Sequence, residues 1–334
     1  MISRTLTNFV RLQRSQWYDR AKLEAFQNRK LKQMIDHAYR KVPIYQRLYK
    51  AARVDLDKAK NLENLKMLPT IDKLLLTNVP LADRTAVNAD LSTCVPLSTS
   101  GSTGNPVIVL EDKLSACYRA ALYTRFSWAY GIRPWDRVCL AGPGPTPRNL
   151  YNSIHGASGF FVKNIVKAIS FENMRDAVGF LTEWKPDALY ARPSEFRRLI
   201  EYCDGEGLYP SIRLAVASHE PLDNATRSLI GKRVGTAVYD MYGVTEVGTA
   251  AWECPTHAGH HFNADALIVE FLRDGEPVNP TEGGELCITN LYKTATPIIR
   301  YLTQDTATLA EGDCSCGRGL PLLKDIQSRI VRRN

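Results

Sequence analysis

Short apolar runs separated by helix-length segments are the strongest constraint on how this chain folds. From about residue 95, residues 107–110, 138–141, 214–217 and 237–241 read as buried strands. Helical spacing predicts helices over residues 114–130, 195–203 and 224–231. Such alternation specifies an α/β fold, with helices flanking the sheets. After residue 265 the candidates are strands in succession, residues 267–272, 285–290 and 297–301, which predicts a terminal β-rich subdomain. Upstream, residues 17–60 read as mainly helical, because Leu31, Met34, Ile35 and Ala38 share one helical face and Pro43 interrupts the pattern.

At 334 residues and 44% apolar content the chain can bury a large core. The formal charge of +8 suits polyanionic small ligands. Nucleic-acid binding needs a concentrated basic stripe; here the basic residues are scattered, and the densest run, Arg329-Ile330-Val331-Arg332-Arg333, lies at the end of the chain. No nucleic-acid partner is expected. No apolar run is long enough to span a bilayer, and Arg4, Arg11 and Arg14 break up the first residues. A cytoplasmic chain without a membrane span is expected. In that compartment clustered cysteines point to metal or catalysis rather than disulfides.

Three segments carry chemistry. The first is Ser98-Thr99-Ser100-Gly101-Ser102-Thr103-Gly104-Asn105-Pro106, whose glycines allow tight turns and whose N–H groups and hydroxyls can surround phosphate oxygens. It is not a P-loop, because Asn105 stands where that motif needs lysine. A surface linker is the alternative on composition alone. The second is Asp240-Met241-Tyr242-Gly243-Val244-Thr245-Glu246. There Tyr242 offers a stacking face, Gly243 a close backbone approach, Thr245 a phosphate donor and Glu246 a ligand for a hard cation. The third is Cys314-Ser315-Cys316, with Cys254 upstream and His257, His260 and His261 near it; three thiols and one imidazole would close a tetrahedral zinc site. Cys94, Cys117, Cys139, Cys203 and Cys287 read as packing residues.

The glycine-rich loop resembles the phosphate-binding signature of the adenylate-forming superfamily, with Asn105 replacing its lysine. Tyr242-Gly243-Val244-Thr245-Glu246 matches that superfamily's Tyr-Gly-x-Thr-Glu motif. Arg300-Tyr301-Leu302-Thr303-Gln304-Asp305 resembles Arg-Tyr-x-Thr-Gly-Asp, with Gln304 replacing glycine. Lys41-Val42-Pro43-Ile44-Tyr45 and Leu68-Pro69-Thr70-Ile71-Asp72-Lys73 are similar to segments of phenylacetate–coenzyme A ligase-like proteins. Asn263-Ala264-Asp265 with Glu270, and Thr289-Asn290-Leu291, are most similar to the capsule-biosynthesis branch.

The resemblance covers nearly the whole chain and carries definite expectations. Residues 1–75 would be a helical lead-in packed on the core, 76–328 an AMP-binding (adenylation) domain, and 329–334 the start of a hinge, with the mobile C-terminal domain absent. Thr99, Ser100, Gly101, Ser102, Thr103 and Gly104 would cradle the ATP phosphates. Thr245 would contact those phosphates and Glu246 would ligate Mg²⁺, making Thr103, Thr245 and Glu246 the catalytic candidates. Ser218, His219, Glu220 and Pro221 would line the adenine, and Tyr242 and Gly243 would lie along the adenine and the substrate carboxylate. Asp305 would accept both ribose hydroxyls, and Arg329 would reach the nucleotide from the hinge. Residues 142–161 are expected to help form the acid pocket. The family's Gly-x-His pattern selects His261, which with Cys254, Cys314 and Cys316 would hold a structural zinc. The implied activity is ATP-dependent conversion of a carboxylic acid, aromatic acids first, to an acyl-adenylate, with transfer to coenzyme A. Alternatives are an amine or carrier-protein thiol as acceptor, or a non-catalytic nucleotide-binding remnant.

Overall fold

A computed structural model describes residues 2–98, 106–142 and 166–328. Among these residues a twelve-stranded sheet runs through the molecule. One half is parallel: β3 (Val138–Gly142), β4 (Val166–Ser170), β5 (Ala188–Ala191), β6 (Leu214–Ser218) and β7 (Ala237–Val244). From β7 onward pairing is antiparallel, through β8 (Gly248–Glu253), β9 (His260–Phe262), β10 (Leu267–Arg273), β11 (Glu276–Pro277), β12 (Gly284–Asn290), β13 (Tyr301–Leu309) and β14 (Leu322–Gln327). The spatial order is β11-β10-β12-β13-β14-β9-β8-β7-β6-β5-β3-β4. The β-rich end is thus the antiparallel half of one continuous sheet.

Alternation along the parallel strands divides the core. Ala188, Tyr190, Leu214, Val216, Tyr239 and Met241 join one hydrophobic cluster, while Leu189, Ala191, Ala215 and Val238 join another. Both faces are therefore buried, which is why β5 and β6 are almost continuously apolar in sequence. The second cluster packs against the crossover helices Met174–Trp184, Pro193–Glu206 and Asn224–Val234. Asn173 and Asp223 cap the first and third by accepting from Asp176 N and Thr226 N. The other face is covered by the helix Lys113–Ala129, which contributes Ala121, Leu122 and Phe126.

The N-terminal helices Ile2–Ser15, Arg20–Lys41 and Pro43–Ala51 pack on that helix and on the antiparallel half. Pro43 interrupts the helical run as expected: one helix ends at Lys41, and Pro43 starts the next, at a position where its missing N–H has no cost. Gln27 Nε2 donates to the carbonyls of Ala264 and Leu267, both at 2.9 Å. Arg125 on the covering helix forms a fully buried ion pair with Asp265 at 2.5 Å and donates to Asn263 Oδ1 at 2.6 Å. No helix among the described residues is long and apolar enough to cross a membrane.

The strand expected over residues 297–301 is not formed. Residues 297–300 are irregular, and β13 begins at Tyr301. Ile298 and Ile299 are buried, hence the apolar reading, but their neighbours' backbone groups bond to side chains instead of a ladder. Tyr45 Oη donates to Pro297 O at 2.9 Å and accepts from Ile299 N at 3.0 Å, and Arg300 N donates to Thr289 Oγ1 at 2.9 Å. Arg300 itself holds φ 51°, outside the extended region of a regular strand.

Candidate active site

The acid-bearing motif lies on a hairpin at the centre of the sheet. β7 ends at Val244, residues 245–247 turn, and β8 returns. Gly243 is required by packing: a Cβ there would stand 2.7 Å from Gly248 O and 2.9 Å from Thr249 Cα. The turn carries Glu246 into the protein, where it is only 4% exposed. Tyr301 Oη donates to Glu246 Oε1 at 2.8 Å. Burial and the Glu246 charge push the Tyr301 hydroxyl well above its ordinary range, so it remains a donor.

Asp305, 5% exposed on β13, stands beside the same hairpin. Tyr242 Oη donates to Asp305 Oδ2 at 2.7 Å, and burial and the Asp305 charge again hold that hydroxyl protonated. Two tyrosines thus tie the two expected acids to each other's strands: Tyr242 of the hairpin to Asp305, and Tyr301 of β13 to Glu246. Gln304, where the related motif has glycine, takes φ 66°, the left-handed region that glycine enters freely.

Ser218 ends β6 next to Met241 on β7, so the expected adenine segment opens at the same C-terminal strand edge. In open α/β sheets that edge is where ligands bind. Ser218 Oγ and His219 Nδ1 are 2.8 Å apart, and exposed His219 has φ 69°. Glu220 accepts from Ser194 N at 3.1 Å and Ser194 Oγ at 2.9 Å, so its carboxylate serves the start of the helix Pro193–Glu206. Pro221 is exposed.

β1 (Val95–Ser98) and β2 (Ile108–Glu111) pair antiparallel with Ser98 opposite Ile108, so the glycine-rich segment connects a hairpin. Thr99, Ser100, Gly101, Ser102, Thr103 and Gly104 lie outside the described residues, as do Arg329 and most of the expected acid-pocket segment. β2 is anchored toward the acid site: Leu110 N donates to Thr296 Oγ1 at 3.0 Å, and Arg84 donates to Ile108 O at 2.5 Å.

Sequence reasoning missed two residues behind the turn. Lys293, 1% exposed, donates from Nζ to Glu246 O at 2.8 Å and Thr245 O at 3.4 Å. Asn290 Nδ2 donates to Val247 O at 2.8 Å. Burial pushes the Lys293 ammonium down to about 8.

A second cluster lies at the far end of β9 and β14. The ligand atoms of Cys254, His261, Cys314 and Cys316 are all within 4.8 Å of one another. Cys254 Sγ is 3.7 Å from Cys314 Sγ, and Cys316 Sγ is 3.2 Å from His261 Nε2. His261 Nδ1 lies 3.1 Å from the carbonyl of Leu320, which can only accept. The proton is therefore on Nδ1, and the Nε2 lone pair faces the thiols. Burial pushes the His261 imidazole down to about 4, keeping it neutral near pH 7. Because strand side chains alternate, His260 points elsewhere, 3.1 Å from Asp240 Oδ2, and His257 lies 3.3 Å from Glu253 Oε2.

The sequence profile described as "AMP-binding enzyme" matches residues 23–292. The chain belongs to this family. Among relatives of this AMP-binding enzyme, the phenylacetate-coenzyme A ligase of Escherichia coli (strain K12) is 31% identical over 87% of this chain and 68% of its own length. The phenylacetate-coenzyme A ligase of Thermus thermophilus is 28% identical over 90% of this chain and 68% of its own. The chain thus spans about two thirds of these relatives. The solved structure of 2-hydroxyisobutyryl-CoA ligase in an open conformation, in complex with 2-HIB-AMP and CoA, is 23% identical. It covers 94% of this chain and 76% of that one, with a TM-score of 0.83, and has the same fold.

Proposed function

We propose that this AMP-binding enzyme activates a carboxylic acid with ATP. A carboxylate oxygen attacks the α-phosphorus, and acyl-adenylate and pyrophosphate form. The thiol of coenzyme A then attacks the acyl carbon, releasing AMP and leaving a thioester. No protein nucleophile is needed; the chain's work is positioning and charge stabilisation.

The observation that supports this reading is the double tie between the acid-bearing hairpin and β13, Tyr242 to Asp305 and Tyr301 to Glu246. Asp305 suits two ribose hydroxyls, because a carboxylate is acceptor-only with two oxygens. Glu246 fits Mg²⁺: Tyr301 fixes one carboxylate oxygen, and among the described residues no donor is directed to the other. Bound Mg²⁺ would neutralise phosphate charge. Thr245 and the segment 99–104 would hold the phosphates, Ser218 and His219 would border the adenine, and residues 76–328 would form the adenylation unit on which residues 1–75 pack. Phenylacetate is the first acid to test, since two relatives carry that name. Titration calorimetry with Mg·ATP, followed by hydroxamate trapping across aryl and alkyl acids, tests the reading. A folded protein that binds no nucleotide and traps no acid refutes it. Product analysis with coenzyme A, amines and carrier proteins identifies the acceptor.

We also propose a structural zinc on Cys254, His261, Cys314 and Cys316. A tetrahedral zinc with Zn–S bonds of about 2.3 Å has an S···S edge of about 3.8 Å, and the Cys254–Cys314 separation is 3.7 Å. The Leu320 carbonyl supplies the outer hydrogen bond that orients a metal-binding histidine. Burial pushes the Cys254 thiol up to about 11, and a cation is what would hold it as thiolate. All four positions would be protein ligands, so this metal would staple the β13–β14 turn to β9 and take no part in chemistry. Metal analysis of the purified protein should give one zinc per chain; none, in protein prepared without chelator, refutes the assignment.

A further inference from the structure

The turn that presents Thr245 and Glu246 is held from behind. Three successive carbonyls, of Thr245, Glu246 and Val247, accept, among the described residues, from the side chains of two residues. Lys293 Nζ takes the first two, and Asn290 Nδ2 takes the third. Asn290 also organises its partner: its Oδ1 accepts from Tyr292 N at 2.9 Å and Lys293 N at 2.8 Å, which starts the bend that turns Lys293 inward after β12. A lysine ammonium is costly to bury, and such lysines normally hold a charge partner directly. Here Nζ donates to backbone carbonyls, and the charges that act on it are Glu111, Arg119 and Glu246. Glu111 is itself paired with Arg119 at 2.6 Å. A methionine would fill the same volume without that cost, so general packing does not account for a lysine at this place.

We propose that Lys293 is a positioning residue for the adenylation site. With Asn290 it clamps the backbone of the turn, and so fixes where the Glu246 carboxylate and the Thr245 hydroxyl stand when Mg·ATP binds. The inference rests on the adenylation reading for its purpose, but the clamp is measurable without substrate.

The test compares wild type, Lys293→Met and Lys293→Gln. The first readout is amide hydrogen exchange with no nucleotide present. Lys293→Met should speed exchange at residues 245–249 while the crossover helices stay as protected as in wild type. Lys293→Gln keeps an N–H donor and should recover part of that protection. The second readout is kinetic: Lys293→Met should raise the KM for Mg·ATP by about tenfold or more, the scale for losing a charged hydrogen bond, with the KM for the acid within about twofold. If wild type shows no adenylation but the local exchange pattern appears, the functional reading fails and the clamp stands. Unchanged exchange at residues 245–249 overturns the proposal. Equal loss of affinity for nucleotide and acid, or global unfolding of both variants, also overturns it, because Lys293 would then be a residue of the general core.

Discussion

Tyr301→Phe isolates one oxygen atom. The ring of Tyr301 is buried, and its backbone pairs with Ile71 across an isolated bridge, so phenylalanine should keep the packing. What disappears is the 2.8 Å bond to Glu246 Oε1. A hydrogen bond to a charged group contributes about 1.5–3 kcal/mol, and each 1.4 kcal/mol is about a factor of ten. Glu246 is 4% exposed, so water does not readily replace the hydroxyl, and the upper part of that range applies. If the bond holds the carboxylate in the geometry used by Mg·ATP, kcat/KM for Mg·ATP should fall by roughly 40- to 150-fold. Pyrophosphate release at varied Mg²⁺ measures this, with circular dichroism as the control for folding. A folded Tyr301→Phe protein whose Mg²⁺ dependence and kcat/KM match wild type would refute the link between Tyr301, Glu246 and the metal.

Four further outcomes follow from the same structure. Arg125→Met strands the fully buried Asp265 carboxylate, which also accepts from Ser15, and should cost about 3–5 kcal/mol in urea denaturation. Gly243→Ala puts a methyl against the Gly248 carbonyl, so it should lower stability by about 1–3 kcal/mol and weaken Mg·ATP binding measured by calorimetry. Cys316→Ser should abolish stoichiometric zinc in metal analysis, and chelation should lower the melting temperature of wild type but not of the variant. In zinc-free protein the neutral buried His261, pushed down to about 4, contributes stability at neutral pH that falls as the pH drops below about 6.5, where the unfolded chain takes up a proton first. Denaturation of wild type and His261→Asn between pH 7 and 4 should show wild type losing stability faster.

The sequence made β3, β6 and β7 of the parallel half legible because buried strands read as short apolar runs, whereas β4 was not read. β5 escaped notice because Ala188–Ala191 is only four residues, two of them alanine, and β8 because Gly248, Ala250 and Ala251 carry little β preference. The apolar segment at residues 297–301 was misleading for the opposite reason: its first four residues are held by side-chain hydroxyls and single backbone bonds, and a ladder begins only at Tyr301. Glu246 and Asp305 were legible as acids in motifs, whereas the Lys293 clamp was not, since backbone carbonyl acceptors leave no mark in a sequence. The cysteine pair pointed to a thiol and imidazole cluster, and the Gly-x-His resemblance had already selected His261; strand geometry gives the reason His260 is not in it, because adjacent residues of β9 face opposite ways.

The helical lead-in also acquires a reason to be there. The connector between β12 and β13 is irregular, yet its residues bond to a different element at almost every step. Thr294 Oγ1 and Ala295 N donate to Asp112, the cap of the covering helix, and Ala86 N donates to Ala295 O. Tyr45, within the Lys41–Tyr45 segment, closes residues 297–299. Ile71, within the Leu68–Lys73 segment, accepts from Leu302 N at 2.8 Å and donates to Arg300 O at 2.9 Å, and Arg300 returns bonds to Lys66 O and Leu68 O. A connector without regular structure has no ladder to fix it, so side chains from elsewhere must satisfy its backbone. One end of this connector carries Lys293 behind the Glu246 turn, and the other leads into Tyr301 and Asp305. The N-terminal segments therefore hold the piece of chain that runs from Lys293, behind the Glu246 turn, into Tyr301 and Asp305.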